Sequence, residues 1–270
     1  MKKITLIALM AACVFGASSC KQEKAETVAV VAHRGYWNCE AGGNSHNSIA
    51  SLKAAGDQGF WGSEFDVNMS ADSVLLVFHD GKINGQVIDQ TPAEAFADYR
   101  LNDGETIPTL QEYLAVFNQY PKTTLVFELK KGSTPESEVA ATELSLQALK
   151  DANLYDPSRV IFISFSMNIC ETLAKETEGF TIQYLDTDYT PAQAKEHGCN
   201  GIDTEYTFLL QHPEWIEQAH ELGMSVNTWT VNKEEDIKAL IELGVDQITT
   251  NEPELARQLI VAAGKAELKN

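Results

Sequence analysis

Basic residues are scarce: 20 lysines and arginines stand against 39 aspartates and glutamates, for a formal charge of -19. Phosphate backbones are bound through compensating cations, so this balance excludes nucleic acid as a partner. Any anionic small molecule has to be drawn in by local cations or by a bound metal. Cysteine is scarce too. Of the five, Cys13 and Cys20 lie in the N-terminal segment, and Cys39, Cys170 and Cys199 neither pair off completely nor show metal-like spacing. No disulfide is therefore expected. The apolar stretch Ile4 to Gly16 is too short to span a bilayer. No Pro/Ser/Gly-rich linker or low-complexity segment divides the chain, which leaves one large core. A glycine-rich dinucleotide loop is also lacking, which counts against the rival doubly wound sheet.

The N-terminus reads as a targeting segment. Lys2-Lys3 is a charged start, Ile4 to Gly16 an apolar stretch, and Ala17-Ser18-Ser19-Cys20 resembles the end of a bacterial lipoprotein signal. Residues 1–20 are thus expected to be a signal ending at a lipidated Cys20, and 21–27 a polar tether. The mature protein would be exported and lipid-anchored to the bacterial membrane, facing the periplasm or the surface. An ordinary cleaved secretory signal is the rival reading. Loss of Lys2 and Lys3 takes the charge from -19 to about -21.

From Val28 onward, short apolar runs alternate with helical patterns. Strands are predicted at Val28–Ala32, from Glu64, and at 124–128, 160–164, 181–185, 201–205, 225–230 and 247–250. Helices are predicted between them, at 48–58, 109–120, 135–151, 168–178, 191–197, 213–222, 233–243 and 253–263, with helical potential also at 92–99. Eight strands, each followed by a helix, predict a (β/α)8 TIM barrel over residues 28–264. One β-hairpin departs from the repeat after strand 2. If Ala71-Asp72 is its two-residue loop, His79 lands opposite Glu64, on the face that carries Glu64, Asp66 and Asn68.

Barrels of this kind do their chemistry at the carboxyl ends of the strands. The first strand ends in His33-Arg34, the second carries Glu64 and Asp66, and the third ends in Glu128-Leu129-Lys130. Trp229 closes the seventh, and Ser164, Glu205 and Thr250-Asn251 close others. A simple ion pair is the plainest reading of Glu128 and Lys130 taken alone. Three carboxylates converging on one point instead call for a hard divalent cation, Ca²⁺ or Mg²⁺, and the lack of nearby cysteines or a His-x-x-x-His pair argues against zinc. Arg34 and Lys130 would leave positive potential for a phosphodiester, with His33 and His79 as general base and general acid.

In order, His33-Arg34-Gly35, Glu64-Phe65-Asp66, His79-Asp80, Ile107-Pro108-Thr109-Leu110, Glu128-Leu129-Lys130 and Trp229-Thr230-Val231-Asn232 resemble the motifs of the glycerophosphodiester phosphodiesterases. The resemblance spans roughly residues 28 to 260. It implies a TIM barrel and a Ca²⁺- or Mg²⁺-dependent enzyme that releases glycerol 3-phosphate and an alcohol. Carried over, His33 and His79 match the acid/base pair, Glu64, Asp66 and Glu128 the metal ligands, Arg34 and Lys130 the phosphate-holding groups, and Trp229 a pocket-lining aromatic. Attack by a substrate hydroxyl, through a cyclic phosphate, and direct attack by water both remain open.

One motif departs. The family pattern Pro-Glu-Asn-Thr is replaced by Ser45-His46-Asn47-Ser48, so His46 stands where the glutamate belongs, and Glu40 is a nearby substitute carboxylate. The short 81–105 segment implies an open mouth. His197, His212 and His220 read as surface residues, Trp37, Trp61 and Trp215 as packing, and Cys39 as a small, partly buried residue. Two other functions compete: a phospholipase-type phosphodiesterase acting on intact lipids, and a lipoprotein that binds glycerophosphodiesters without turnover. Two retained histidines disfavour the binder.

Overall fold

Strand β1 (Thr27–Ala32) is buried at every residue after Thr27, as a strand covered on both faces must be. The computed structural model describes residues 27–270; the signal ending at Cys20 and the tether up to residue 26 lie outside the described residues. After β1 come α1 (Ile49–Asp57), β2 (Gly62–Met69), β3 (Leu75–Val77), β4 (Lys82–Ile83), β5 (Gln86–Val87) and α2 (Leu110–Phe117). They are followed by β6 (Thr124–Leu129), α3 (Pro135–Asp151), β7 (Val160–Ser164), α4 (Met167–Glu176), β8 (Thr181–Tyr184) and α5 (Pro191–Glu196). The rest is β9 (Gly201–Glu205), α6 (Tyr206–Gln211), α7 (Glu214–Glu221), β10 (Ser225–Trp229), α8 (Glu234–Leu243), β11 (Gln247–Thr250), α9 (Pro253–Ala262) and β12 (Ala266–Glu267).

Eight parallel strands follow the order β10-β9-β8-β7-β6-β2-β1-β11, forming the predicted barrel with its helices outside. Strand periodicity sorts the side chains. Ala29, Val31, Val126, Ile161 and Ile163 cluster with Trp61 inside the barrel, while Val28, Val30, Phe65 and Phe127 pack outward against the helices. Phe65 stacks on Tyr113 of α2 at 4.6 Å and meets Phe127 at 4.7 Å, filling the layer between sheet and helix. Each such buried aromatic contributes about 2–3 kcal/mol through surface removed from water. No helix among the described residues is long and apolar enough to cross a membrane.

No ladder pairs β10 with β11, and the barrel is joined there largely by side chains. The Asp246 amide donates to the Val226 carbonyl at 2.9 Å, and its Oδ2 accepts from the Val226 amide at 2.8 Å and faces His220 Nε2 at 2.9 Å. The hydrogen bond to Asp246 raises the His220 pKa. Nearer the mouth, Thr249 Oγ1 donates to Asn227 Oδ1 at 3.2 Å, and the Asn251 amide donates to Asn232 Oδ1 at 2.9 Å. His220 is thus a half-buried tie across this seam, whereas His212 is exposed as the sequence implied. At the opposite pole, β12 pairs with Thr27–Val28, and Arg257 holds Glu267 through contacts of 2.7 and 3.1 Å.

The hairpin excursion exists, but in a different register from the two-residue loop expected. Val67 pairs with Val77, Asn68 with Leu76 and Met69 with Leu75. Three residues, Ala71-Asp72-Ser73, therefore form the loop, with Ser73 in the left-handed region at φ 65°. The extra residue shifts the return strand by one, so Phe78 rather than Val77 comes level with Asp66, its amide donating to the Asp66 carbonyl at 3.0 Å. His79 is not opposite Glu64 in a ladder. It reaches the site because the chain leaves β3 after Val77.

Candidate active site

The turn after β1 is built on strain. Arg34, at φ 58°, and Gly35, at φ 77°, are both left-handed, a state that costs a non-glycine residue about 1–3 kcal/mol. A Cβ at Gly35 would lie 2.4 Å from Ser51 Oγ, so only glycine fits against α1. The turn aims the Arg34 amide at Glu64 Oε2, 2.7 Å away, while the Arg34 carbonyl accepts from Asn47 N at 3.1 Å and from Ser51 Oγ at 3.0 Å. His33, Arg34 and the β2 carboxylates are in this way fixed to one another.

Glu64, Asp66 and Glu128 each offer an oxygen within 4.8 Å of the others, and all three are buried. Asp66 and Glu128 are level in the β2–β6 ladder, which brings their side chains side by side. Burial, together with the Asp66 and Glu128 charges, pushes Glu64 well above the usual carboxylate range; burial and Asp66 push Glu128 up as well. Asp66 goes the other way. Burial alone would raise it, but Lys130, His79 and Arg34 hold it down, assisted by Asn47 Nδ2 donating at 2.8 Å. Lys130 Nζ lies 2.6 Å from Glu128 and 3.2 Å from Asp66, so the plain ion pair of the sequence reading is present inside the larger cluster. Three buried carboxylates, two of them raised by burial and by their acidic neighbours and one held ionised, are a donor set that fits a hard divalent cation.

Both histidines line the same cavity of about 240 Å³, with Arg34, Glu64, Glu128 and Trp229. His33 Nδ1 is 2.8 Å from Asn251 Oδ1, which also accepts from Trp37 Nε1 at 3.2 Å. An amide oxygen at that place fixes the proton on Nδ1 and leaves the Nε2 lone pair free. Burial, and then the Arg34 charge, lower the His33 pKa to about 4, so the ring is neutral near pH 7. His79 is held differently: Asn68 Nδ2 donates to the Phe78 carbonyl at 2.6 Å, and Asp80 Oδ1 lies 2.7 Å from Nδ1. Burial lowers the His79 pKa, against the pull of Asp66.

All eight residues named from the sequence meet at this end of the barrel, Lys130 through its contacts with Asp66 and Glu128. Other expectations need correction. Trp37 is not mere packing, because it donates to the residue that orients His33 and stacks edge-on against His46 at 4.1 Å. Glu40 is exposed and is not among the gathered carboxylates. His46 instead faces Arg34 Nη1 at 3.4 Å, beside a small cleft that also contains His79. Sequence reasoning placed Asn68 on the carboxylate face without giving it a role, and it missed Asp203. Asp203 lies in the middle of β9 with no motif around it, and strand alternation was the signal available to place it inside.

The sequence profile of the glycerophosphoryl diester phosphodiesterase family matches residues 33–255. A glycerophosphodiester phosphodiesterase of Caldanaerobacter subterraneus is 27% identical over 265 residues, covering 87% of this chain and 98% of that protein. The crystal structure of a glycerophosphodiester phosphodiesterase from Parabacteroides distasonis superposes with a TM-score of 0.85 at 37% identity, covering 89% of this chain and all of the other. An Oleispira antarctica phosphodiesterase, solved with sn-glycerol-3-phosphate as product, shares the fold with a TM-score of 0.73 at 24% identity, covering 87% and 97% of the two chains. The strained turn after β1 and the carboxylates of β2 and β6 thus lie within a profile that runs to the start of the last helix, and the chain belongs to the glycerophosphoryl diester phosphodiesterase family.

Proposed function

We propose that the protein hydrolyses glycerophosphodiesters to glycerol 3-phosphate and an alcohol, using a Ca²⁺ or Mg²⁺ ion held by Glu64, Asp66 and Glu128. The observation that carries this reading is the meeting of three buried carboxylates with two differently held histidines on one cavity. When bound, the cation supplies Lewis-acid stabilisation of charge on the phosphoryl oxygens. His33 takes the proton of the attacking hydroxyl at Nε2, while Asn251 keeps Nδ1 protonated and the ring in place. His79 gives a proton to the departing alkoxide, with Asp66 and then Asp80 favouring its charged form against the burial that lowers its pKa. Arg34 and Lys130 hold the phosphate, and Trp229, edge-on to Phe165 at 5.5 Å, forms an apolar wall.

The test is turnover of glycerophosphocholine by the purified protein, read as released glycerol 3-phosphate. Turnover is expected with added Ca²⁺ or Mg²⁺, should vanish in EDTA, and should return when the cation is restored in excess. No turnover with either ion refutes the reading. The same two histidines argue against a pure binding protein, which needs no proton-transfer pair.

We further propose attachment to the membrane through a lipidated Cys20. Thr27 starts β1 at the barrel pole opposite the mouth, so such an anchor turns the site toward water. That orientation favours soluble, deacylated diesters over intact lipids. Cys20→Ala is expected to move the protein from the membrane to the soluble fraction of its native cells; a variant that stays membrane-bound overturns the anchor.

A further inference from the structure

Asp203 takes no part in the chemistry above, yet it lines the same cavity as Glu64, Glu128, His33 and His79. Its strand, β9, stands four places from β2 in the eight-strand order, which puts Asp203 across the barrel from the carboxylates and cations. The carboxyl is 1% exposed. Oδ2 accepts from Asn227 Nδ2 at 3.1 Å, and Asn227 Oδ1 accepts in turn from Thr249 Oγ1 and from the Thr228 amide. These bonds lock the carboxyl in place. Oδ1 is buried without any hydrogen-bond partner.

An unsatisfied buried polar atom costs about 1–3 kcal/mol, and a barrel floor packs at least as well with an apolar side chain. Asp203 lines the cavity, so the cavity is where a partner for Oδ1 is to be sought. The neighbouring walls, Ile163, Phe165, Leu185 and Trp229, supply no donor facing it; the Trp229 Nε1 hydrogen is spent on the Asp203 carbonyl at 3.1 Å. Space of about 240 Å³ suits a three-carbon polyol phosphate, whereas a bulky ammonium head group has larger grooves outside, beside Asp80 and Asp89 or Asp186 and Asp188. With Arg34 and Lys130 drawing phosphate to the far side, the opposite end of a small polyol phosphate points at Asp203.

We propose that Asp203 binds substrate: its free Oδ1 forms a hydrogen bond with a hydroxyl of the glycerol group, selecting polyol phosphates over phosphates that lack hydroxyls. The inference rests on the reading of this cavity as a glycerophosphodiester site. Calorimetric titration with sn-glycerol 3-phosphate, n-propyl phosphate and inorganic phosphate, in Ca²⁺, tests it without requiring turnover. The wild type should bind glycerol 3-phosphate about 10–100-fold more tightly than propyl phosphate. In Asp203→Leu that ratio should shrink to within about threefold, with inorganic phosphate affinity unchanged. Should the leucine fail to fold, Asp203→Ala carries the same comparison. A wild type that does not distinguish the two esters, or variants that lose all three ligands equally, overturns the inference. Lack of glycerophosphocholine hydrolysis, by contrast, overturns the catalytic reading and leaves the binding ratio standing as its own result.

Discussion

His33→Asn is expected to lower kcat for glycerophosphocholine by about 10²–10⁴-fold while leaving the melting temperature almost unchanged. Asparagine keeps a side-chain amide that can meet Asn251, so the turn after β1 should hold, but no basic nitrogen remains to take a proton. His79→Ala should cost a similar factor on glycerophosphocholine, for a different reason. Loss of a proton donor matters most when the leaving alkoxide is a strong base. On a glycerophosphodiester whose leaving group is 4-nitrophenol, His79→Ala should recover most of its activity and His33→Asn should not. Equal losses on both substrates would show that the two roles are wrongly assigned, and a fully active His79→Ala would remove it from the machinery.

Glu64→Gln should lower kcat/KM at least 100-fold and, at the same time, make the metal-free protein more stable at high pH. The second effect follows from linkage. Glu64 and Glu128 are raised by burial and by their acidic neighbours, so the stability they contribute as neutral groups is complete below their unfolded pKa and is lost as pH climbs through the folded one. In EDTA the wild type is therefore expected to lose melting temperature between pH 5 and pH 8, and Glu64→Gln to lose less. Asp66 has the opposite sign: its contribution is present above its unfolded pKa and disappears only in acid. Adding Ca²⁺ should stabilise the wild type strongly and the variant weakly, since a ligand that binds only the folded state stabilises in proportion to its affinity. Thermal melts at both pH values, with EDTA or Ca²⁺, check all three points. An undiminished Ca²⁺ response in Glu64→Gln removes that residue from the ligand set.

Strands were the most legible part of the chain because their signal is local and double. Val160–Ser164, Gly201–Glu205 and Gln247–Thr250 fall where apolar and β-branched runs meet turn residues. Helix starts were legible for the same reason, with Thr109, Thr134 and Thr190 each accepting from a backbone amide three residues on. Elements that depend on distant partners were not. The two residues of β12 carry no pattern of their own and form a strand because Thr27–Val28 offers an edge. Glu205 reads as one more acid at a strand end, but its Oε2 accepts from the Thr207 and Phe208 amides and so starts the short helix α6, which was not foreseen. The hairpin register turned on Ser73 adopting a left-handed conformation with no glycine to announce it. In the site, the charged groups were readable because strand ends concentrate them. Asn251 was visible only as a strand-end residue, since its contact with His33 spans 218 residues.

The side-chain closure between β10 and β11 bears on motion. Main-chain ladders open only by breaking several bonds in concert, whereas this joint has two separate main-chain bonds, Asp246 N to Val226 O and Val231 N to Thr249 O, with the side chains of Asp246, Asn227 and Asn232 supplying the rest. Local breathing is therefore drawn to this joint rather than to the continuous β2–β6 ladder that carries all three carboxylates. Trp229 ends one bank and Asn251 follows the other. Such fluctuations are expected to widen the pocket and loosen the orienting contact to His33 together, while the carboxylate cluster stays put. Rigidity is thereby concentrated where charge must be held, and compliance is left where substrate comes and goes.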